Sequence, residues 1–136
     1  MAALTAVDME RDITAWFASI LGLTVDIGIF RGGIPIGVQH GVGVLFNGVS
    51  AMGTSIDAQE WLVQILGKYD TRDAAVLTLA TLSRSFPRFG VLLNSRTFVH
   101  SAVQEGDIQP YQGDDDGKVK WFSTANFRIC LAGAGS

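Results

Sequence analysis

Apolar residues first recur at helical spacing. Met9, Ile13, Trp16, Phe17 and Ile20 share one face of a 3.6-residue period. Asp8, Glu10 and Asp12 crowd the first turns, where the helix dipole favours negative charge. Thr5 or Asp8 is the predicted cap, and Gly22 the predicted stop. The period then changes to two. Val25, Ile27 and Ile29 alternate with Thr24, Asp26 and Gly28, which predicts a strand, and Arg31-Gly32-Gly33 reads as a turn. A second strand is expected around Val42, Val44 and Phe46, closed by the hairpin dipeptide Asn47-Gly48. Glycines from Gly28 to Gly53 weaken the register there, and long loops are expected within 31–41 or 48–57.

The later pattern is firmer. From Glu60 to Tyr69, Trp61, Val63, Ile65 and Tyr69 point one way, and Leu62, Gln64, Leu66 and Lys68 the other. A half-buried strand carries polar residues on its outer face, so a strand with apolar residues on both faces needs cover on both. Asp70 and Thr71 then cap a helix from Arg72 to Ser85, with Ala75, Val76, Leu79, Leu82 and Phe86 as its buried stripe and Pro87 ending it. After a loop, Thr97–Gln104 reads as a strand, Gly113–Gly117 as a turn, and Val119–Leu131 as a long strand. Trp121 and Phe122 are neighbours there, so they face opposite sides, which makes Phe122 a candidate subunit contact. The order of elements predicts one α+β domain over 1–136, with extended or disordered ends near 1–5 and 132–136. Its core is a mostly antiparallel sheet of four to five strands with two α-helices packed on one face.

Composition sharpens this picture. The chain is 48% hydrophobic and only 17% charged, against about 25% charged in an average protein. A single core of 136 residues leaves much of its surface exposed, so some apolar surface is expected to be buried against other subunits. The net charge of −3 and the scattered lysines and arginines give no footprint for gripping nucleic acid. Cys130 is the only cysteine, so no intrachain disulfide is expected, and a reduced setting fits. Every apolar run is interrupted before it reaches membrane-spanning length, and no secretory leader pattern opens the sequence.

The motifs that carry chemistry point away from catalysis. His40 and His100 stand without further ligand types at metal-site spacing, so no metal is expected. Asp114, Asp115 and Asp116 are consecutive and lack the alternating ligands and terminal Glu of a calcium loop. Gly41-Val42-Gly43 does not open onto a helix, and Gly67-Lys68 is followed by Tyr69, so neither cradles phosphate. No Gly-x-Ser-x-Gly elbow occurs. Neither a cofactor nor a catalytic residue is expected. The rival from another class is a small-molecule-binding or enzymatic α+β domain, which requires a deep pocket where His40 or His100 meets a carboxylate.

Two stretches carry a resemblance. One is Glu60-Trp-Leu-Val-Gln-Ile-Leu-Gly-Lys-Tyr-Asp-Thr-Arg-Asp-Ala-Ala75, a strand running straight into an Ala-rich helix. The other joins Gln109-Pro-Tyr-Gln-Gly-Asp-Asp-Asp-Gly-Lys118 to Trp121-Phe-Ser-Thr-Ala-Asn-Phe-Arg-Ile129. Together they resemble the tail-terminator, or tail-completion, proteins of long-tailed bacteriophages, sometimes described as minor capsid proteins. The glycine-rich stretch Arg31–Gly53 departs from that family. The resemblance implies a virion protein assembled in the host cytoplasm. It would form a homo-oligomeric ring, usually hexameric in that family, which caps the tail tube, ends its polymerisation and meets head-connector proteins. DNA would only pass through the channel. A neck or tail-tube subunit is the alternative within assembly. Candidate subunit contacts are Leu62, Leu66, Phe122, Arg128 and the acidic tip Asp114, Asp115 and Asp116.

Overall fold

The computed structural model describes residues 5–51 and 59–133. The first helix, α1 (Ala6–Leu21), begins on a reciprocal cap. The Asp8 amide donates to Thr5 Oγ1 at 3.1 Å, and the Thr5 amide donates to Asp8 Oδ2 at 3.2 Å. Gly22, in the left-handed region at φ 68°, ends it. The expected strand at 24–29 is mostly a turn. The Thr24 carbonyl accepts from the amides of Ile27, Gly28 and Ile29, and Asp26 lies at φ 68°. Only β1 (Ile29–Arg31) is extended, and it runs parallel to β2 (Gly41–Ala51).

Asn47-Gly48 is not a hairpin turn. It sits at a bulge inside β2, and β2 continues antiparallel to β3 (Gln59–Tyr69). The predicted loop at 31–41 is present as residues 32–40, whereas most of 48–57 lies outside the described residues, as do 1–4 and 134–136 of the ends. Thr71 caps α2 (Arg72–Ser83), which buries Ala75, Leu79 and Leu82; Val76 and Phe86 are half-buried. The stretch read as a loop contains β4 (Arg88–Leu93). Its Gly90 and polar entrance hide the alternation that signals a strand. β5 (Thr97–Asp115) and β6 (Lys118–Gly133) are both longer than expected. Their turn shrinks to Asp116-Gly117, both at positive φ, as a two-residue hairpin requires. Asp114 and Asp115 therefore belong to the strand.

The fold is α+β with two helices, as expected, but the sheet has six strands and is mixed. The order is β1-β2-β3-β6-β5-β4, with β1–β2 the parallel pair. Trp61, Val63 and Ile65 of β3 and Ala125, Phe127 and Ile129 of β6 share one face through direct pairing. Met9, Ile13 and Phe17 of α1 and Leu79 and Leu82 of α2 close over that face. Gly67 lets α2 approach: a Cβ there would lie 2.8 Å from Ser123 Oγ, whose hydroxyl donates to the Ala75 carbonyl.

One buried charge ties the helices to the far edge. The Asp12 carboxylate is 4% exposed. It accepts two short bonds from Arg96, at 2.9 Å each, one from Thr97 Oγ1 at 2.6 Å and a longer one from Asn94. Asn94 and Arg96 lie on the β4–β5 turn, where Asn94 and Ser95 take positive φ, and Thr97 opens β5. Burial pushes the Asp12 carboxyl up, but the bonds from Arg96, Thr97 and Asn94 outweigh it and hold it below its ordinary 3.8. Its contribution is complete above the unfolded-state value and is lost as pH falls through the lower folded value. Asp12→Ala takes the acceptor from the buried Thr97 hydroxyl and leaves Arg96 only its longer contact to Asp8 at 3.7 Å, and should cost about 2–3 kcal/mol at pH 7. In urea denaturation, the gap between the two proteins should narrow as pH drops below 3.8.

Candidate functional site

Among the described residues, no helix lies on the second face of the sheet. Pairing fixes which side chains share it: Leu62 lies opposite Arg128, which lies opposite Val103, and Lys68 opposite Phe122, which lies opposite Tyr111. Leu66 is on the same face opposite Thr124. Phe89 and Leu92 join it from β4 through Ser101 and Phe98. Leu62 is 42% exposed, Phe89 66% and Leu92 54%, so this apolar surface is open among the described residues. A trough of about 440 Å³ crosses it, lined by Asn47, Leu62, Glu105, Gly106 and Asn126.

Four of the predicted contacts, Leu62, Leu66, Phe122 and Arg128, share this face. Arg128 is held between two acids, Glu105 at 2.7 Å and Glu60 at 3.7 Å. Phe122 is half-buried. Its ring stacks on Tyr111 at 5.3 Å and covers Gly113, where a Cβ would lie 2.8 Å from the ring. Its ring therefore also packs inside the β5–β6 hairpin. Cys130 faces the same way; burial and then the Glu60 carboxylate push its thiol up, so it stays protonated and unreactive at neutral pH.

The acidic tip divides. Asp114 and Asp116 are exposed without an ion pair among the described residues, whereas Asp115 pairs with Lys68. Sequence reasoning missed the cluster this pair begins. Lys68 and Lys120, each under 6% exposed in its side chain, both find a carboxylate: Lys68 that of Asp115, Lys120 that of Asp70. Lys68 Nζ also donates to the Val38 carbonyl at 2.7 Å, and His40 meets Asp70 at 2.6 Å while stacking on Tyr69. Hydrogen bonds from Lys120 and then His40 hold the Asp70 carboxyl below its ordinary range. The only warning in the sequence was lysine at alternating positions in otherwise apolar strands.

This cluster fastens the glycine-rich loop 32–40 onto β3. It does bring a histidine to a carboxylate, as the enzymatic rival requires, but His40 and Asp70 are both more than half exposed. His100 lies elsewhere, against Phe98 on β5, so the two histidines do not converge. No helix among the described residues is long and apolar enough to cross a membrane. No protein-family model matches the chain, and no curated protein matches it.

Lys68→Met removes the ammonium that holds the Val38 carbonyl. A bond from a charged donor contributes about 1.5–3 kcal/mol. Amide hydrogen exchange across 32–40 should therefore quicken by at least about tenfold, while α1 amides keep their rates.

Proposed function

We propose that this chain is a non-catalytic structural subunit that assembles with copies of itself through the uncovered face of its sheet. The observation that carries this reading is the contrast between the two faces. One is sealed by both helices; the other presents Leu62, Phe89, Leu92 and Val103 to solvent, with Leu66 half-buried among them. An exposed apolar patch of that kind, on a chain with few charges, marks an interaction surface. The resemblance over residues 60–76 and 109–131 gives the assembly its form. That form is a ring that caps a bacteriophage tail tube, stops its growth and meets the head connector, in a virion put together in the host cytoplasm. A closed ring needs heterologous contacts, and a subunit with two unlike faces and two unlike edges can supply them.

At micromolar concentration, or on assembled tails, the protein should form one discrete oligomer by native mass spectrometry. Leu62→Asp should remove it, because an unpaired carboxylate buried in an interface costs several kcal/mol, about 3 or more. The thermal midpoint of the monomer should move little, since Leu62 is already 42% exposed. A protein that stays monomeric alone and never co-purifies with tails would end this reading. Its presence in many stacked rings along the tail would transfer it to a tube subunit.

A further inference from the structure

The long β5 strand has a partner on both sides for only part of its length. β6 pairs with it from Thr97 to Asp115, but β4 covers only Thr97–Ala102. Beyond that, a bulge at Gly106–Ile108 interrupts the ladder, and Gln109–Asp115 runs on with β6 alone. On the other side of the hairpin, β3 leaves β6 at Trp121. The tip is therefore a two-stranded arm, and its β5 side exposes backbone donors and acceptors, Pro110 supplying an acceptor alone, without a neighbouring strand among the described residues. A bare edge of this kind is a template for another strand.

The chain also offers a strand of the right size. β4 is the last strand of the sheet, six residues long, against seven in Gln109–Asp115. Its outer side is likewise unpaired among the described residues. It carries Phe89 and Leu92, two of the most exposed large apolar side chains. The arm presents Tyr111 and Val119, 46% and 67% exposed.

Charge selects between the ways of filling this edge. The arm and its bulge carry Asp107, Asp114 and Asp116 against a single free lysine, Lys118, none of the four in an ion pair among the described residues, so the arm is acidic on balance. Pairing two such arms would set acids against acids, which is unfavourable across strands. The entrance to β4 carries Arg84 and Arg88, which also lack an ion pair there. Acidic edge and basic strand are complementary, and both belong to this chain.

We propose that a second copy of this chain adds its β4 strand to the bare β5 edge of the first, between Asp107 and Asp116, with Arg84 and Arg88 meeting the arm's free carboxylates. This rests on the self-assembly reading and names the edge through which copies join. The contact continues the sheet from one subunit to the next. It leaves the uncovered face of each sheet free to meet another copy.

Charge swapping tests it. Arg84→Glu with Arg88→Glu should weaken self-association, followed by sedimentation velocity across a concentration series, by about tenfold or more. Asp107→Lys with Asp114→Lys and Asp116→Lys should do the same. An equimolar mixture of the two variants should associate better than either alone. In the wild type, amides of 109–115 should exchange more slowly as concentration rises. If neither variant changes association while Leu62→Asp abolishes it, the edge contact is wrong and the assembly reading stands. If the wild type is monomeric at every concentration and on tails, both fall. If the wild-type monomer's arm is protected only by a basic peptide from another protein, the occupant is that strand and not a second copy.

Discussion

A carboxylate with almost no access to water decides how this molecule is put together. Asp12 projects from the middle of α1, and its oxygens are taken by Asn94 and Arg96 on one turn and by Thr97 at the start of β5. A charge in that position is stable only while all its partners stay in place. The helix layer and the β4–β5 turn are therefore locked to one another, although more than 80 residues separate them in sequence. The lock also sets where β4 can lie. It must begin its pairing beside Thr97, so it reaches only the first third of β5. At its other end β4 begins only at Arg88, opposite Ala102, and β5 is bare beyond that point among the described residues.

The sealed and open faces arise from simple differences in side-chain chemistry. On β3 the inner positions hold Trp61, Val63 and Ile65, all essentially buried. The outer positions hold Glu60, Leu62, Gln64, Leu66 and Lys68, a mixture that neither demands a helix nor suits water. The outer face thus has enough apolar surface to gain from a partner and enough polar groups to fix its orientation.

Much of this could be read from the sequence where a periodic pattern ran uninterrupted. Helix α1, its Thr5 cap and Gly22 stop, helix α2, and the β3 and β6 strands follow from spacing alone. The failures share one cause, which is that non-local partners decided local form. Val25-Ile27-Ile29 alternates well, yet the Thr24 carbonyl gathers three amides and folds the stretch into a turn. Asn47-Gly48 suits a hairpin, yet β3 lies alongside and makes it a bulge. The β4 strand has little pattern of its own and exists because β5 supplies its partner. For the candidate contacts, alternation put Leu62 and Leu66 on one face of β3 and Phe122 opposite Trp121 on β6, and the β3–β6 register, which alternation does not give, joins them on one face. The paired lysines could not be foreseen, because their carboxylates come from distant positions.

Lys68 is a joint between two segments. Its single ammonium holds the Val38 carbonyl of the glycine-rich loop and the Asp115 carboxylate near the end of the hairpin arm. Two segments that share no strand pairing are thereby fastened to one atom. A load that shifts the arm changes what that nitrogen can offer the loop, and a load on the loop acts on the arm in return, since such coupling is reciprocal. Loop 32–40 carries Ile36 at its tip with its side chain wholly in solvent. One buried cation thus stands between the arm and the loop that holds that isoleucine.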